Sequence, residues 1–169
     1  MNEIRLVESA RQGNRDAFCE LYGLYKDRLY RYAFYRLGSP EDAEDAVSDC
    51  ILAAWKQIGQ VRSAEAFPAW LYRILSGCCN RRIRETVVRR NLQMETQAGW
   101  QPSEEHPGGS LELAEALSQL DLQSRDIVLL SVVAGLDSSE IAKITGLTAS
   151  GVRSRLSRSL AKMRKFLEG

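Results

Sequence analysis

The residues best suited to catalysis are five acidic side chains within nine positions, from Glu41 to Asp49. Carboxylates at this density could bind a divalent cation, as in a metal-dependent nuclease. No glycine-rich phosphate loop or histidine base lies beside them in the sequence, and Asp42, Asp45 and Asp49 share one face of a strongly amphipathic helix. They form either a solvated face favoured by the helix dipole or a surface for a basic partner. We expect no catalytic residues; metal-dependent DNA cleavage by the pure protein would revive the nuclease hypothesis.

Four cysteines and one histidine are the remaining candidates for metal or redox chemistry: Cys19, Cys50, Cys78, Cys79 and His106. The cysteines form no CxxC pair, and adjacent cysteines rarely suit a disulfide with each other. A zinc site built from these residues would not follow the usual ligand spacing. We therefore expect buried, reduced thiols and neither a metal nor a cofactor.

Basic residues are concentrated in two segments, although the whole chain carries a net charge of only +1. Residues 73–90 contain six arginines against one glutamate, and residues 149–169 contain six Lys and Arg against one glutamate. Together with the acidic segment, this distribution indicates more than one polar partner surface.

The stretch "DSSEIAKITGLTASGVRSRLSRSL", residues 137–160, has helix-turn-helix spacing. Asp137 or Ser138 can cap a first helix, and Gly146 permits the sharp turn after it. Thr148 can then cap a second helix, whose basic residues fall on one side. A solvated amphipathic helix end is the alternative, but it would explain neither the turn glycine nor the two caps. The stretch therefore predicts a DNA-binding helix pair.

Packing positions in the same stretch support this interpretation. Ala142 leaves room for the second helix to cross, and Val152 fills the angle between the helices. We expect a core-facing stripe on the second helix formed by Val152, Leu156, Leu160, Met163 and Leu167. On the opposite side we expect DNA contacts from Thr148, Ala149, Ser150, Arg153, Ser154, Ser157, Arg158 and Lys162. The first five lie nearest base edges, whereas Arg158 and Lys162 are expected at phosphates.

Helical periodicity extends over most of the chain, and β-type alternation is almost absent. The pattern predicts helices at 3–12, 15–37, 40–58, 66–92, 113–120 and 123–134, before the helix-turn-helix. Residues 96–110 contain two prolines, three glycines and no Lys or Arg, which is typical of a linker. We therefore predict an all-α fold with two small helical domains, 1–95 and 111–169, joined by an extended linker at 96–110. No signal peptide or long apolar run is found, so we expect a cytoplasmic protein without membrane insertion.

Four stretches occur in the order of the landmarks of a known family: "QGNRDAFCELYGLYKDRLYRYA", "PEDAEDAVSDCILAAWKQ", "FPAWLYRI" and "LSQLDLQSRDIVLLSVVAGLDSSEIAKITGLTASGVRSRLSRSL". The chain resembles bacterial RNA polymerase sigma factors of the extracytoplasmic-function group, which keep sigma regions 2 and 4. The resemblance implies a non-enzymatic factor that binds core polymerase and recognises the −10 and −35 promoter elements, nucleoid-associated when bound to polymerase. It also implies contacts with the β′ clamp helices and the β flap, and an anti-sigma partner.

The resemblance assigns residues to each role. Contacts with core polymerase are implied for Asp42, Asp45, Val47, Asp49, Ile51 and Trp55. Contacts with the −10 element are implied for Arg62, Ser63, Arg73, Gly77, Asn80, Arg81 and Arg84, on a loop and a basic helix face suited to a melted strand. The helix-turn-helix is implied to read the −35 element. Trp70 could stack on a base, but its "AWL" setting favours a core tryptophan, as do the positions of Phe67 and Tyr72.

Four positions depart from the family pattern. Asn is frequent near the position of Gly77 and an acid near that of Arg81, a proline commonly stands where this chain has Asp121, and a histidine where it has Ser157. These departures leave the −10 preference open. The rival hypothesis is a non-sigma helix-turn-helix regulator, but such proteins usually dimerise, and no heptad pattern follows the motif.

Overall fold

The computed structural model describes residues 2–93 and 111–169, and these segments are almost entirely helical. The eight helices of these segments are α1 Glu3–Arg11, α2 Arg15–Leu37, α3 Pro40–Gln57, α4 Phe67–Gln93, α5 Leu111–Ser118, α6 Leu122–Val132, α7 Ser138–Thr145 and α8 Ala149–Glu168. Two short 3₁₀ turns, Ile58–Gln60 and Ala64–Ala66, connect α3 to α4. The all-α prediction is confirmed, whereas the predicted linker at 96–110 lies outside the described residues.

Helices α1–α4 pack together because each has a continuous apolar side. The largest buried side chains of this group come from α2 and α4, among them Tyr32, Phe34 and Tyr72. Ring contacts join these helices, since Tyr32 meets Tyr72 edge to face at 5.6 Å and Tyr25 meets Phe67 at 5.5 Å. Such pairs stabilise the packing beyond their buried area. The core of this group therefore lies between α2 and α4.

The break between α2 and α3 follows from three adjacent residues. Gly38 ends α2 in the left-handed region at φ 74°, where a Cβ is disfavoured. Ser39 caps α3 by accepting a hydrogen bond from the Asp42 amide, and Pro40 takes the first helical position. The helix boundary predicted at "GSP" is confirmed.

Helices α5–α8 form the second group, in which α6 and α7 both pack against α8. Its buried centre includes Leu117, Ile127, Leu130 and Val152. In addition, α6 contacts α2 and α7 contacts α4, so the two helical groups lie directly against each other. No helix of the described segments is both long enough and apolar enough to cross a bilayer.

The predicted cysteine environment is correct for three of the four thiols. Cys50, Cys78 and Cys79 are buried, whereas Cys19 is exposed because it lies on the outer face of α2. Burial raises the pKa of Cys79 to about 12, and burial also raises that of Cys50. A thiol held protonated is a poor nucleophile and a poor metal ligand, so these two thiols are packing residues.

Candidate nucleic-acid interface

The helix-turn-helix is formed by α7 and α8, and its caps explain its geometry. Asp137 caps α7 and forms a capping box with Glu140, whose carboxylate accepts from the Asp137 amide at 3.0 Å. Gly146 ends α7 in the left-handed region at φ 80°, and Thr148 then caps α8 by accepting from the Gly151 amide at 2.9 Å. Ile141 and Val152 fill the angle between the helices. The local chemistry of the sequence therefore fixes the angle at which α8 is presented.

The outer face of α8 carries the residues predicted to contact DNA. Seven are exposed, and Ala149 is half-buried: the set is Thr148, Ala149, Ser150, Arg153, Ser154, Ser157, Arg158 and Lys162. Hydroxyl groups and a small side chain lie at the start of α8, and the basic side chains follow farther along. A helix with this arrangement fits a major groove, with its first turns near base edges and its later turns near phosphates.

The inner stripe of α8 is shorter than predicted. Val152 and Met163 are buried and Leu156 is half-buried, but Leu160 is 36% exposed and Leu167 is 49% exposed. Ser159 takes a buried position instead. Leu160 is exposed although Ser159 and Met163 on either side of it are buried, so it lies at the edge of the buried stripe, whereas Leu167 lies beyond the last buried position.

Asp121, a departure from the family pattern, is explained by its position as the N-cap of α6. Its carboxylate accepts a hydrogen bond from the Ser124 amide at 2.7 Å and lies 3.7 Å from Arg155 of α8. The Ser124 bond, followed by the nearby positive charge, lowers the pKa of Asp121. Arg155 therefore lies at the border between the outer face of α8 and the start of α6, where its side chain is half-buried.

Asp121→Ala should destabilise the protein by about 1 kcal/mol, because an exposed cap acceptor is lost. Since the folded-state pKa of Asp121 is lowered, its contribution is fully present above its unfolded pKa of about 4 and is lost as pH falls through the lower, folded value. Urea unfolding between pH 7 and pH 3 should therefore show the deficit shrinking in acid. Asp121→Asn, which keeps an acceptor oxygen, is the matched control, and a deficit as large for Asn as for Ala would contradict the capping role.

The second basic face lies on α4 and the loop before it. The predicted −10 residues Arg73, Gly77, Arg81 and Arg84 are exposed on α4, and Arg62 is exposed on the loop. Ser63 has a local structural role, because its hydroxyl accepts from the Ala66 amide and caps the second 3₁₀ turn. Asn80 lies on the same side of α4, but its side-chain oxygen already accepts a hydrogen bond from Arg36 of α2 at 2.9 Å.

The aromatic residues beside this face are packing residues, as predicted. Phe67 and Tyr72 are buried. Trp70 is half-buried, with its ring 5.9 Å from that of Phe67. Burial raises the pKa of Tyr72 to about 12, so its hydroxyl stays neutral. Phe67 and Tyr72 therefore have no exposed ring on which a base could stack.

Gly77 lies in the middle of α4 with an ordinary helical backbone, and a Cβ added there would meet nothing within 4 Å. Gly77→Ala should therefore stabilise the protein by about 0.5–1 kcal/mol, through reduced entropy of the unfolded chain. A rise in the urea midpoint at constant m-value would measure this gain. A lower midpoint would show instead that the glycine is needed for the fold.

The acidic face of α3 is paired with arginines of α4. Arg82 lies 3.7 Å from Asp42, 3.4 Å from Asp45 and 3.5 Å from Asp49, while Arg81 lies 3.9 Å from Asp49. All are at least partly exposed, so each pair is weak and exchangeable. The sequence hypothesis placed Arg81 on the DNA face and missed Arg82, whose signal was its register opposite the three acids.

The apolar residues predicted beside these acids divide into two kinds. Ile51 and Trp55 are half-buried, with the Trp55 ring 5.2 Å from that of Phe18. Val47 is only 4% exposed because it belongs to the inner stripe of α3. The structure therefore removes Val47 from the surface that a partner could contact.

A buried polar cluster joins the two helical groups. The Tyr32 hydroxyl donates to the Asp126 carboxylate, and Arg36 Nε lies 3.7 Å from the same oxygen. Arg36 also donates to the side-chain oxygen of Asn80 at 2.9 Å and to the carbonyl of Ser76 at 3.4 Å. Tyr32, Arg36 and Asp126 are all at least 93% buried. This cluster was not foreseen; its one sequence signal is an arginine directly after the apolar run "YAFY".

Electrostatics keep this cluster charged. Burial alone would lower the pKa of Arg36. The Tyr32 oxygen and the Asp126 carboxylate raise this pKa by more than burial lowers it, so the net shift is upward. Burial raises the pKa of Tyr32 as well. Arg36 is therefore a permanent cation inside the junction, and the Asp126 carboxylate of α6 is its counter-charge.

Comparison with known proteins agrees with this geometry. The family model for Sigma-70 region 2 matches residues 21–87, and that for Sigma-70, region 4 matches residues 110–163. The RNA polymerase sigma factor NccH of Alcaligenes xylosoxydans xylosoxydans is 32% identical over 96% of this chain and 93% of its own length. The ECF RNA polymerase sigma factor SigW of Bacillus subtilis is 28% identical over 95% of this chain and 94% of its own.

A solved structure extends the likeness to the relation between the two helical groups. The structure of CnrH in complex with the cytosolic domain of CnrY matches with a TM-score of 0.72 and 25% identity, over 98% of this chain and 97% of the other. Both the N-terminal and the C-terminal helices are thus matched in one superposition. This chain belongs to the sigma-70 family of RNA polymerase sigma factors, in the extracytoplasmic-function group, whose members direct promoter-specific transcription.

Proposed function

We propose that this sigma factor binds core RNA polymerase through α3 and reads a promoter with two separate basic faces. Region 2, here residues 1–95, uses α4 and the preceding loop at the −10 element. Region 4, residues 111–169, uses α8 at the −35 element, and residues 96–110 link them. The observation that carries this proposal is the pair of exposed cationic faces on α4 and α8, each supported by an apolar core.

The proposed roles follow the chemistry of each face. Arg153, with the small residues at the start of α8, reads base edges in the major groove, while Arg158 and Lys162 bind phosphates. Arg73, Arg81 and Arg84 track the backbone of a melted strand, beside an exposed Arg62. The protein supplies recognition and the polymerase supplies nucleotidyl transfer, so the sigma factor is not itself an enzyme.

The partner surface for core polymerase is the outer side of α3. Asp42, Asp45 and Asp49 present carboxylates to basic residues of the β′ clamp helices, with Ile51 and Trp55 as adjacent apolar contacts. The weak pairs with Arg82 can exchange for partner residues, because they are partly exposed. We further propose contact of region 4 with the β flap, an anti-sigma partner, and action in the cytoplasm at the nucleoid.

Reconstituted transcription tests the proposal. Purified chain mixed with core polymerase should form a one-to-one complex and initiate at specific sites in a library of promoter fragments. Specific initiation that depends on both the −10 and the −35 sequence is the expected result. A chain that binds paired half-sites as a dimer, without associating with core polymerase, would establish the rival regulator hypothesis instead.

A further inference from the structure

The buried cluster at the junction holds an anion where the proposed promoter surface begins. Tyr32 and Arg36 lie at the end of α2, and Asn80, from the −10 face of α4, accepts a hydrogen bond from Arg36. Into this position α6 inserts the Asp126 carboxylate. Region 2 thus provides the hydroxyl and the guanidinium, and region 4 provides the anion that they contact.

Stability alone does not account for such an arrangement. Burying an arginine and a carboxylate removes both ions from water, and their mutual attraction often only offsets the desolvation cost. A buried ionic contact instead specifies one arrangement of the parts that carry it, here region 4 against region 2. Since the cation belongs to one region and the anion to the other, separating the regions would leave Arg36 with its neutral partners Ser76 and Asn80 but without a counter-charge.

The position of the cluster indicates which anion would supply that counter-charge. A cleft of about 340 Å³ beside it is lined by Asn80 and Arg84 of the −10 face and by Ile144 and Thr145 of the helix-turn-helix. Region 4 therefore lies across a cleft from the part of α4 that carries Asn80 and Arg84, and both of these residues remain exposed. Arg36 contacts α4 through Asn80, which lies on the same side of that helix as Arg73, Arg81 and Arg84.

We propose that Tyr32 and Arg36, with Asn80 orienting the guanidinium, form an anion site of region 2, which Asp126 fills in the free chain and a backbone phosphate of the promoter strand fills once region 4 has moved away. Carboxylate and phosphate oxygens both accept hydrogen bonds from a guanidinium and a hydroxyl, so one site serves both anions. The inference rests on the proposed function, because it assumes that α4 meets a DNA strand. Asp126 then acts as an internal competitor of DNA.

The closed arrangement is tested by small-angle X-ray scattering on the full chain. Asp126→Arg places a second cation beside Arg36 and should increase the radius of gyration, and Asp126→Asn should do so to a smaller extent. Glu112→Arg and Glu112→Gln make the same charge changes at an exposed position of α5 and are the matched controls. Unchanged helical circular dichroism establishes that a variant is folded. A radius of gyration equal to the controls for both Asp126 variants would overturn the closing role.

The anion site is tested with a fluorescein-labelled single-stranded DNA 12-mer of mixed sequence. Asp126→Asn should bind it roughly tenfold more tightly than Glu112→Gln does, as one added charge-assisted contact predicts. Adding Arg36→Gln to Asp126→Asn should abolish this gain and lower the salt dependence, log K against log salt, by about 0.7. Equal affinity and equal slope for the single and the double variant would refute the site, even if the chain had opened.

The two proposals fail in distinguishable ways. If wild-type chain does not bind core polymerase or initiate transcription, the promoter role is rejected, and the Arg36-dependent gain in DNA binding is still measured independently. If transcription succeeds but the gain does not depend on Arg36, the sigma-factor function holds and the anion site is rejected.

Discussion

Arg153→Ala should cost about 1–3 kcal/mol of discrimination at one base pair of the −35 element, which is the value of a bidentate base contact. Arg153 is exposed in the second turn of α8, where Thr148 and Gly146 fix the entry of the helix. A guanidinium at this position can reach the two acceptors of a guanine. Holoenzyme binding to promoter fragments substituted singly across the −35 element would locate the affected pair.

Arg158→Ala is the matched control for Arg153→Ala, since it removes the same side chain from a position farther along the same face. Its loss should weaken binding about equally for all sequences and should reduce the salt slope by about 1. If Arg153→Ala gave this uniform result, with an unchanged −35 preference, Arg153 would be a phosphate contact and not a reader of bases.

Asp45→Arg should be the most damaging substitution for assembly with core polymerase. Placing like charges opposite each other at an interface weakens binding by roughly several kcal/mol. In this chain Asp45 also lies 3.4 Å from Arg82, so the substitution removes one of the three acids around that arginine and adds a second cation beside it. Titration of labelled sigma factor with core polymerase should show the loss in affinity, and it should deepen as salt is lowered.

Glu44→Arg provides the control for Asp45→Arg, because it makes the same charge change at the adjacent exposed position on another face of α3. It should reduce core binding far less. Binding of the full chain to DNA in the absence of polymerase should not fall for either variant. Equal loss of polymerase and DNA binding for Asp45→Arg would indicate damage to the fold of region 2 and would contradict the proposed interface.

The helices and the helix-turn-helix were predictable because their signals are local. The boundary between α2 and α3 is set by Gly38, Ser39 and Pro40, and that between α7 and α8 by Gly146 and Thr148. Neither boundary depends on residues elsewhere in the chain. The two basic faces were predictable for the same reason, since helical periodicity alone groups their side chains. The family resemblance then supplied roles that no spacing rule contains.

The remaining features depend on contacts between distant segments. Arg82 pairs with three acids some forty positions earlier, and Arg36 meets Asp126 across 90 positions of sequence. From composition alone, both arginines would be expected to be surface charges. Arg82 instead covers a proposed interface, and Arg36 is buried. The burial predicted for Leu160 was wrong for the opposite reason. An apolar position in a regular stripe is buried only where another helix covers it.

The contact of Arg36 with Asp126 has a consequence for modular engineering. Regions 2 and 4 of different sigma factors invite exchange as independent cassettes, each bringing its own promoter element. In this chain a grafted region 4 without an acid at position 126 would leave Arg36 without its carboxylate, and if the proposed closing role holds, region 4 of the hybrid would pack less firmly against region 2. The Arg36–Asp126 pair is therefore one condition of compatibility between the two regions, and a chimera of this protein should keep both residues.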